Sequence, residues 1–290
     1  MSSLILNGHE VRDRIFADLA RRVEETGRRP GLHVILVGDD PASAVYVRSK
    51  GKACEKVGFT HETHILPADI TESSVLDLVA RLNADDSVNG ILVQIPLPAH
   101  ISEEKVQRAV LSEKDVDGFH PENLGRLLAG HPRFVACTPL GVQVMLEHYG
   151  VTVAGKRMAI VGRSVIVGRP LAMLMTLKGS AANATVTICH SATSDLAGVC
   201  READIVVAAM GVPGFMTREH VRQGAVVVDV GINRVDDPGA KKGYRIVGDV
   251  APEALEDWAS AYTPVPGGVG PMTIAMLLRN TWDAMVLQQG

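Results

Sequence analysis

The chain has few aromatic side chains, no excess of positive charge and no long apolar run. Aromatic residues make up 4% of the 290 positions and the formal net charge is −4. A base-stacking nucleic-acid surface and an electrostatic attraction to membranes are therefore not expected. No run approaches the about 18 apolar residues of a membrane span, and no basic segment precedes an apolar one near residue 1, so no signal peptide is predicted.

The cysteines are also few and do not form a metal-binding pattern. The four are scattered at positions 54, 137, 189 and 200 without a CxxC pair, which favours reduced thiols in the cytoplasm over a zinc site. His61-Glu-Thr-His64 holds two histidines, but it lacks the HExxH spacing. It also lies in a predicted strand, where the two side chains need not converge. No metal site is predicted.

Strand patterns alternate with helical patterns along the whole chain, which is typical of parallel sheets covered by helices. The first series has helices at 40–58 and 71–83 between strands at 33–38, 60–66 and 90–95. The second series has strands at 157–161, 185–189, 205–209 and 225–230. We predict two α/β domains with parallel sheets. Residues 1–138, completed by a C-terminal helix at 271–290, form the first, and residues 139–270 form a Rossmann-like dinucleotide-binding domain.

Lys50 is unusual because it lies on the apolar face of the predicted helix at 40–58. At about 100° per residue, the side chains close to it on that face are Tyr46, Val47, Ala53, Cys54 and Val57. An ammonium removed from water tends to lose its proton, and the neutral amine is a base or a nucleophile. The alternative is a lysine whose head group reaches solvent along its alkyl stem. Lys50 is therefore a candidate catalytic residue.

Gln94 and Asp117 are the next polar candidates. Gln94 ends an apolar strand, where side chains face the ligand crevice of α/β proteins, and its amide carbonyl can orient the amine of Lys50. Capping of local backbone groups is the alternative. Asp117 lies in Asp-Val-Asp-Gly, which by default is a turn, and the later ligands of a calcium loop are absent.

Two glycine-containing loops are candidate ligand contacts. The loop 264–273 includes Pro264 and Gly268, and its glycines would let the backbone approach a flat ligand, although a structural hinge is the alternative. The loop Gly162-Arg-Ser-Val-Ile-Val-Gly168 joins a strand to a helix, where a pyrophosphate can meet backbone N–H groups. It departs from GxGxxG because Ser164 replaces the second glycine and one extra residue precedes the last. A tight turn explains it equally well.

The residues after the second strand of the dinucleotide-binding domain favour NADP over NAD. That strand ends in Cys189-His-Ser191, where an NAD enzyme would place Asp or Glu for the ribose 2′-hydroxyl. A carboxylate would repel a 2′-phosphate, whereas His190, Ser191 and Arg163 can bind one. Asp195, a few residues further on, leaves NAD as the alternative.

These segments together resemble the bifunctional methylenetetrahydrofolate dehydrogenase/methenyltetrahydrofolate cyclohydrolase family, from residue 4 to residue 287. The resemblance is carried by five blocks: Tyr46-Val-Arg-Ser-Lys50, Gln94-Ile-Pro-Leu-Pro98, Lys114-Asp-Val-Asp-Gly-Phe-His120, Gly162-Arg-Ser and Pro266-Gly-Gly-Val-Gly-Pro-Met-Thr-Ile274. The chain departs from the family in two places. Ile95 stands where the family usually has Leu, and residues 179–183 look like a short insertion before the second strand.

The resemblance implies NADP-dependent oxidation of 5,10-methylenetetrahydrofolate, followed by hydrolysis of the methenyl product to 10-formyltetrahydrofolate, in a cleft between the domains. By motif match, Lys50 would be the key cyclohydrolase residue and Gln94 would orient it. Tyr46 would pack against the folate and Asp117 would hydrogen-bond its pterin. Ser191 and Ile232 would complete the cofactor site.

The family also implies a cytoplasmic homodimer in one-carbon metabolism and purine biosynthesis, with no nucleic-acid or membrane partner. Two rival functions remain open. One is an NADP-dependent dehydrogenase of another small substrate, and the other is a non-catalytic NADP-binding sensor. The first rival does not need Gln94 and Asp117 together, and the polar residues around Lys50 disfavour the second.

Overall fold

The computed structural model describes residues 3–240 and 243–289, and the chain divides into two compact units. The first unit comprises residues 13–136 and 274–290, and the second comprises residues 1–12 and 137–273. The sequence predicted one domain of residues 1–138 with 271–290 and another of residues 139–270. These bounds differ from the two units of the structure most at the start of the chain. Residues 1–12 join the second unit because β1 (Leu4–Ile5) pairs in parallel with β11 (Ala261–Tyr262) there.

The first unit is built on a three-stranded parallel sheet in the order β3-β2-β4. These strands are β2 (Gly31–Val37), β3 (Thr60–Leu66) and β4 (Gly90–Val93), and the crossovers are α2 (Pro41–Val57) and α3 (Glu72–Ala84). The central strand β2 is buried along almost its whole length, as expected for a parallel strand covered on both faces. The remaining helices are α4 (Glu103–Ala109), α5 (Pro121–Leu128) and α1 (Gly8–Thr26), of which the residues from 13 onward belong to this unit.

The second unit contains a six-stranded parallel sheet in the order β1-β11-β8-β7-β5-β6. Its further strands are β5 (Arg157–Val161), β6 (Thr185–Cys189), β7 (Ile205–Ala208) and β8 (Val226–Asp229). The helices are α6 (Cys137–His148), α7 (Gly168–Thr176) and α8 (Leu196–Arg201), with a short 3-10 helix at Pro252–Ala254. An antiparallel pair, β9 (Asn233–Asp236) and β10 (Tyr244–Val247), completes this unit. The long helix α9 (Val269–Gln289) belongs to the first unit from residue 274 onward.

Local sequence signals account for the ends of the helix that carries Lys50. The carboxylate of Asp40 accepts the N–H of Ser43 at 2.7 Å, and Gly58 ends the helix with φ 82° in the left-handed region. The strands predicted at 60–66, 157–161 and 185–189 have those bounds. The two-domain parallel α/β fold is thus confirmed. Helices α1 and α4 and the β9–β10 pair were not predicted.

Within the described part of the chain, no helix combines the length and the apolar character that crossing a bilayer requires.

Candidate active site

Lys50 is buried and its amine is held by Gln94. The lysine is 9% exposed, and its Nζ donates to Oε1 of Gln94 at 2.8 Å. The other end of the Gln94 amide, Nε2, donates to the carbonyl of Ile95 at 2.8 Å. This second bond fixes which end of the amide faces Lys50. The head group therefore does not extend into bulk water, which was the alternative to a catalytic lysine.

The start of α2 is more open than its middle. Tyr46, predicted on the same face as Lys50, is 44% exposed, whereas Val47, Ala53, Cys54 and Val57 are all buried. One aromatic ring is therefore accessible about one helical turn before the buried amine. An accessible ring beside a polar group can stack on a planar ligand, so the exposure of Tyr46 suits a binding role better than a core role.

The segment that carries Asp117 runs parallel to β4, the strand that ends beside Gln94. Ile91 of β4 pairs with Asp115 in parallel, and the N–H of Ile91 donates to the carbonyl of Lys114 at 2.8 Å. Gln94 and Asp117 therefore both lie beyond the carboxyl ends of neighbouring extended segments. Ligands of open α/β sheets bind at this edge.

Asp115, a residue that sequence reasoning did not select, shapes the loop around Asp117. Its carboxylate is 7% exposed, and burial raises its pKa, against the effect of its hydrogen-bond donors. The donors are the N–H groups of Gly118, Phe119 and His120 and the side-chain amide of Asn123. Asp115 therefore orders the turn, the role first considered for Asp117, and Asp117 itself is half-buried.

The loop that follows β5 in the second unit is held by close backbone contacts at its two glycines. Gly162 has φ 128°, and a Cβ at this position would overlap the carbonyl oxygen of Ala209. A Cβ on Gly168 would in turn overlap the carbonyl oxygen of Gly162. Both positions therefore require glycine, which a generic tight turn would not.

Ser164 fulfils a capping role where the dinucleotide-binding fingerprint has its second glycine. Its Oγ accepts the N–H of Val167 at 3.1 Å, just before α7 begins at Gly168. The side chains of Arg163, Ser164 and Val165 are exposed around this turn. The loop therefore presents polar groups and a helix N-terminus to solvent, an arrangement that suits a phosphate group.

His190 and Ser191 follow the end of β6, and the structure gives Asp195, the residue that favoured NAD, a different role. Nδ1 of His190 accepts the N–H of Ala192 at 3.2 Å, so the neutral ring carries its proton on Nε2 and can donate it. Ser191 is exposed. Asp195 caps α8, with Oδ1 accepting the N–H of Gly198 at 2.9 Å. The Asp195 carboxylate therefore caps α8. In an NAD enzyme a carboxylate in this region would instead accept a hydrogen bond from the ribose 2′-hydroxyl.

Two buried carboxylates that sequence reasoning also missed support the segment containing Ile232. Asp229 ends β8, and its Oδ1 accepts the N–H groups of Gly231 and Asp249, each at 2.9 Å. Burial raises the pKa of Asp229 to about 6, partly offset by these bonds. Asp249 binds the backbone of Met210 and Gly211. Ile232 lies in this braced segment and is 49% exposed.

The loop predicted at 264–273 is shorter in the structure because α9 begins at Val269, and it turns tightly at Gly268. Its N–H donates to the carbonyl of Pro264 at 2.7 Å, and a Cβ on Gly268 would lie 2.6 Å from the same oxygen. Thr273, which lies in α9, shares a hydrogen bond of 3.1 Å with Thr138. The glycine is thus required by the turn itself, and Pro264 and Gly268 are held next to each other.

The structure therefore gathers the predicted residues into two groups. In the first unit Lys50 and Gln94 are in direct contact, Tyr46 is exposed on the same helix, and Asp117 follows the neighbouring extended segment. In the second unit the loops after β5, β6 and β8 hold the predicted cofactor residues Gly162, Arg163, Ser164, His190, Ser191 and Ile232. One signal could have found Asp229, because it ends an apolar strand just as Gln94 does.

Comparison with known families gives two matches that together span most of the chain. Residues 6–117 match the catalytic domain of the tetrahydrofolate dehydrogenase/cyclohydrolase family. Residues 136–289 match the NAD(P)-binding domain of the same family. The matched segments contain every candidate residue named above.

Individual relatives are similar over nearly their full length. The bifunctional protein FolD of Chlorobium phaeovibrioides is 55% identical over 284 residues, which is 96% of each chain. The crystal structure of the bifunctional dehydrogenase/cyclohydrolase FolD from Campylobacter jejuni has a TM-score of 0.91 at 44% identity, covering 98% of this chain and 99% of that one. The FolD structure from Trypanosoma brucei, complexed with NADP and an inhibitor, has a TM-score of 0.93 at 39% identity, covering 99% and 98%.

Proposed function

The chain belongs to the tetrahydrofolate dehydrogenase/cyclohydrolase family, and we propose that Lys50 and Gln94 perform the hydrolytic half of its chemistry. It is a bifunctional enzyme of folate one-carbon metabolism. It oxidises 5,10-methylenetetrahydrofolate to the methenyl compound with NADP and hydrolyses that compound to 10-formyltetrahydrofolate. The observation that carries the proposal is the buried Lys50 amine, hydrogen-bonded to Gln94 at 2.8 Å.

In the hydrolytic step, Lys50 acts as the base. The oxygen of water bonds to the methenyl carbon, and the proton that it loses passes to Nζ of Lys50. The bond from that carbon to N5 of the pterin then breaks, and N5 takes the hydroxyl proton of the adduct as the formyl group forms on N10. The excess proton finally leaves Nζ for solvent.

Gln94 orients this base without holding a proton on it. Its carbonyl accepts one hydrogen from Nζ, while its own N–H donates to the backbone of Ile95. An amide carries no net charge, whereas a carboxylate in the same place would favour the ammonium form. The Lys50 amine can therefore exchange a proton with water during the reaction.

Tyr46 and Asp117 bind the folate in this proposal. The exposed ring of Tyr46 stacks on the planar part of the substrate. Asp117 accepts hydrogen bonds from the pterin, because an ionised carboxylate is an acceptor only and the pterin edge has N–H donors. Asp115 keeps the loop that carries Asp117 in one conformation. Pro264 and Gly268 are the further candidate contacts for a flat ligand, because their turn forms a rigid backbone surface.

The residues of the second unit fit an NADP cofactor. Gly162 and Gly168 form the turn at the start of α7 for the pyrophosphate, and Arg163, His190 and Ser191 bind the 2′-phosphate. The capping role of Asp195 keeps a carboxylate away from that phosphate. The bound cofactor supplies the hydride acceptor, so these side chains need only bind and orient it.

The role of Lys50 is tested by the substitution Lys50→Met. It should abolish hydrolysis of methenyltetrahydrofolate, because Met keeps the apolar stem and removes the base. Folate should still protect the variant from thermal unfolding. Lys52→Met is the matched control, since Lys52 is an exposed lysine of the same helix, and it should hydrolyse at the parent rate. Hydrolysis by Lys50→Met at the parent rate would make Lys50 a bystander.

The choice between this function and its rivals needs only the purified protein. Mixing it with methylenetetrahydrofolate and NADP, or with NAD, should reduce NADP preferentially. A dehydrogenase of another small substrate would reduce neither cofactor with folate, and a sensor would bind NADP without turnover.

We further propose a homodimer in the cytoplasm that supplies 10-formyltetrahydrofolate to purine biosynthesis. The compartment is supported by the four cysteines, which are all buried thiols outside any disulfide. The dimer and the pathway rest on the family resemblance alone. Light scattering after size exclusion tests the dimer, and a monomer at micromolar concentration would refute it.

A further inference from the structure

A cluster of two histidines and one glutamate lies on the sheet of the first unit, apart from the residues proposed for catalysis. His33 is on β2, and Glu62 and His64 are on β3. The two strands are parallel, with His33 opposite Glu62 and Ile35 opposite His64. Since alternate residues of a strand share a face, all three side chains are on the same face of the sheet. One possible ligand atom from each of the three residues lies within 4.8 Å of the other two. Among the described residues, no other group of three His, Cys, Asp or Glu side chains converges in this way.

The two imidazole nitrogens are spaced almost as they are in a metal site, since Nδ1 of His33 lies 3.0 Å from Nε2 of His64. Glu62 is further away: its Oε1 lies 3.5 Å from the other ring nitrogen of His64, Nδ1, and the ligand atoms of all three residues lie within 4.8 Å of one another. Two imidazole nitrogens bound to one tetrahedral zinc ion are about 3.3–3.4 Å apart. The two rings therefore need to separate by only a few tenths of an ångström to accept an ion between them.

The exposure of the cluster permits both binding and access. The side chain of His64 is 16% exposed and that of Glu62 is 61% exposed, while His33 is half-buried. The imidazoles are thus fixed by the sheet, and the glutamate can move to complete the site. Imidazole and carboxylate ligands suit ions of the zinc class, whereas calcium and magnesium take oxygen ligands.

We propose that His33, His64 and Glu62 bind a divalent transition-metal ion of the zinc class, through Nδ1, Nε2 and a carboxylate oxygen respectively, with water in the fourth position. The ion joins the edge strand β3 to the central strand β2. Its role is structural, because the ligands are on the opposite face from α2. His61 lies on the face of β3 that α2 covers. Its ring is near Gly51 of α2, and its Nε2 lies 3.4 Å from the carboxylate of Glu55.

The test is metal titration of the full-length protein after treatment with a chelator. Isothermal titration with Zn²⁺ should show one site per chain, and Co²⁺ should give the visible absorption of a four-coordinate nitrogen and oxygen site. Zn²⁺ should also raise the temperature of thermal unfolding. The thiols do not compete, because all four cysteines are buried.

The variants separate this site from the other histidines. His33→Ala and His64→Ala should each weaken Zn²⁺ binding at least tenfold, and Glu62→Gln should weaken it less. His61→Ala is the matched control and should bind as the parent does. Where a variant melts early without metal, His64→Gln gives a milder change with the same expected loss.

Three outcomes would overturn the proposal. They are a parent protein that binds no Zn²⁺ at about 100 μM, unchanged binding in His33→Ala and His64→Ala, and an equal loss in His61→Ala. The dehydrogenase and cyclohydrolase activities of the metal-free His33→Ala and His64→Ala variants should match those of the parent. A failure of the metal site is therefore distinguishable from a failure of the proposed function.

Discussion

Replacing Lys114 by methionine should destabilise the end of α3, far along the chain from the substitution. Lys114 is 6% exposed, and its Nζ donates to three carbonyl oxygens, those of Leu82, Asn83 and Asp85, at 3.2, 2.8 and 2.7 Å. These carbonyls end α3 and have no partner within the helix. The ammonium thus caps the helix C-terminus, where a positive charge is favoured.

The size of the effect follows from two opposing contributions. Three hydrogen bonds from a charged donor contribute about 1.5–3 kcal/mol each, or about 4.5–9 kcal/mol together. Removing the ammonium from water costs several kcal/mol, in agreement with burial being the main cause that lowers the pKa of Lys114. Methionine fills the same space but abolishes both contributions. The net loss of stability should be about 2–4 kcal/mol.

Hydrogen exchange of the amides in the last turn of α3 measures this loss locally. A loss of about 2–4 kcal/mol corresponds to exchange that is roughly 30-fold to 1,000-fold faster. The control is Lys105→Met. Nζ of Lys105 lies 2.8 Å from the carboxylate of Glu72 at the start of α3, but the lysine side chain is 66% exposed. That pair should contribute about 0–1 kcal/mol. The capping explanation is wrong if Lys114→Met accelerates exchange no more than Lys105→Met.

Two predictions concern the cofactor residues. Arg163→Ala should weaken NADP binding much more than NAD binding in isothermal titrations, because the guanidinium is expected to contact the 2′-phosphate; equal losses would contradict that contact. Gly168→Ala should weaken NADP binding at least tenfold, because its Cβ would overlap the carbonyl of Gly162 and push α7 away from the loop. Gly125→Ala, in α5 and with nothing within 4 Å of the added carbon, is the control. It should bind NADP as the parent does, and the same loss in both variants would refute the close-contact argument.

Much of the fold could be predicted because it depends on short-range periodicity. Alternating strand and helix patterns identified the parallel α/β architecture, and several strand bounds agree with the structure. The interior face of α2 was evident from the spacing of its apolar residues, so Lys50 was found before its partner was seen. Helix α1 was missed although Val11, Phe16, Leu19 and Val23 are buried along it. This helix precedes the first predicted strand and so lies outside the alternating strand and helix series.

The candidate site could be predicted only in part. Residues that end strands, such as Gln94, can be placed at the ligand edge from the sequence. The roles of Lys114 and Asp115 could not be predicted from the sequence, since both residues occur in one short motif that also contains Asp117. Their hydrogen-bond partners show that both have structural roles: Lys114 caps α3 and Asp115 orders the turn. Only the contacts distinguish them from a ligand-binding carboxylate.

What the sequence by itself determined is therefore local: which segments form strands and helices, where α2 begins and ends, and which face of it carries Lys50. These properties depend on residues within about one or two turns of each other. Only the tertiary structure decided which histidines meet. His61 and His64 are neighbours in the sequence but lie on opposite faces of β3, and the partner of His64 is His33 on another strand. Strand pairing and register, which act across 31 positions here, are set by packing of the whole unit.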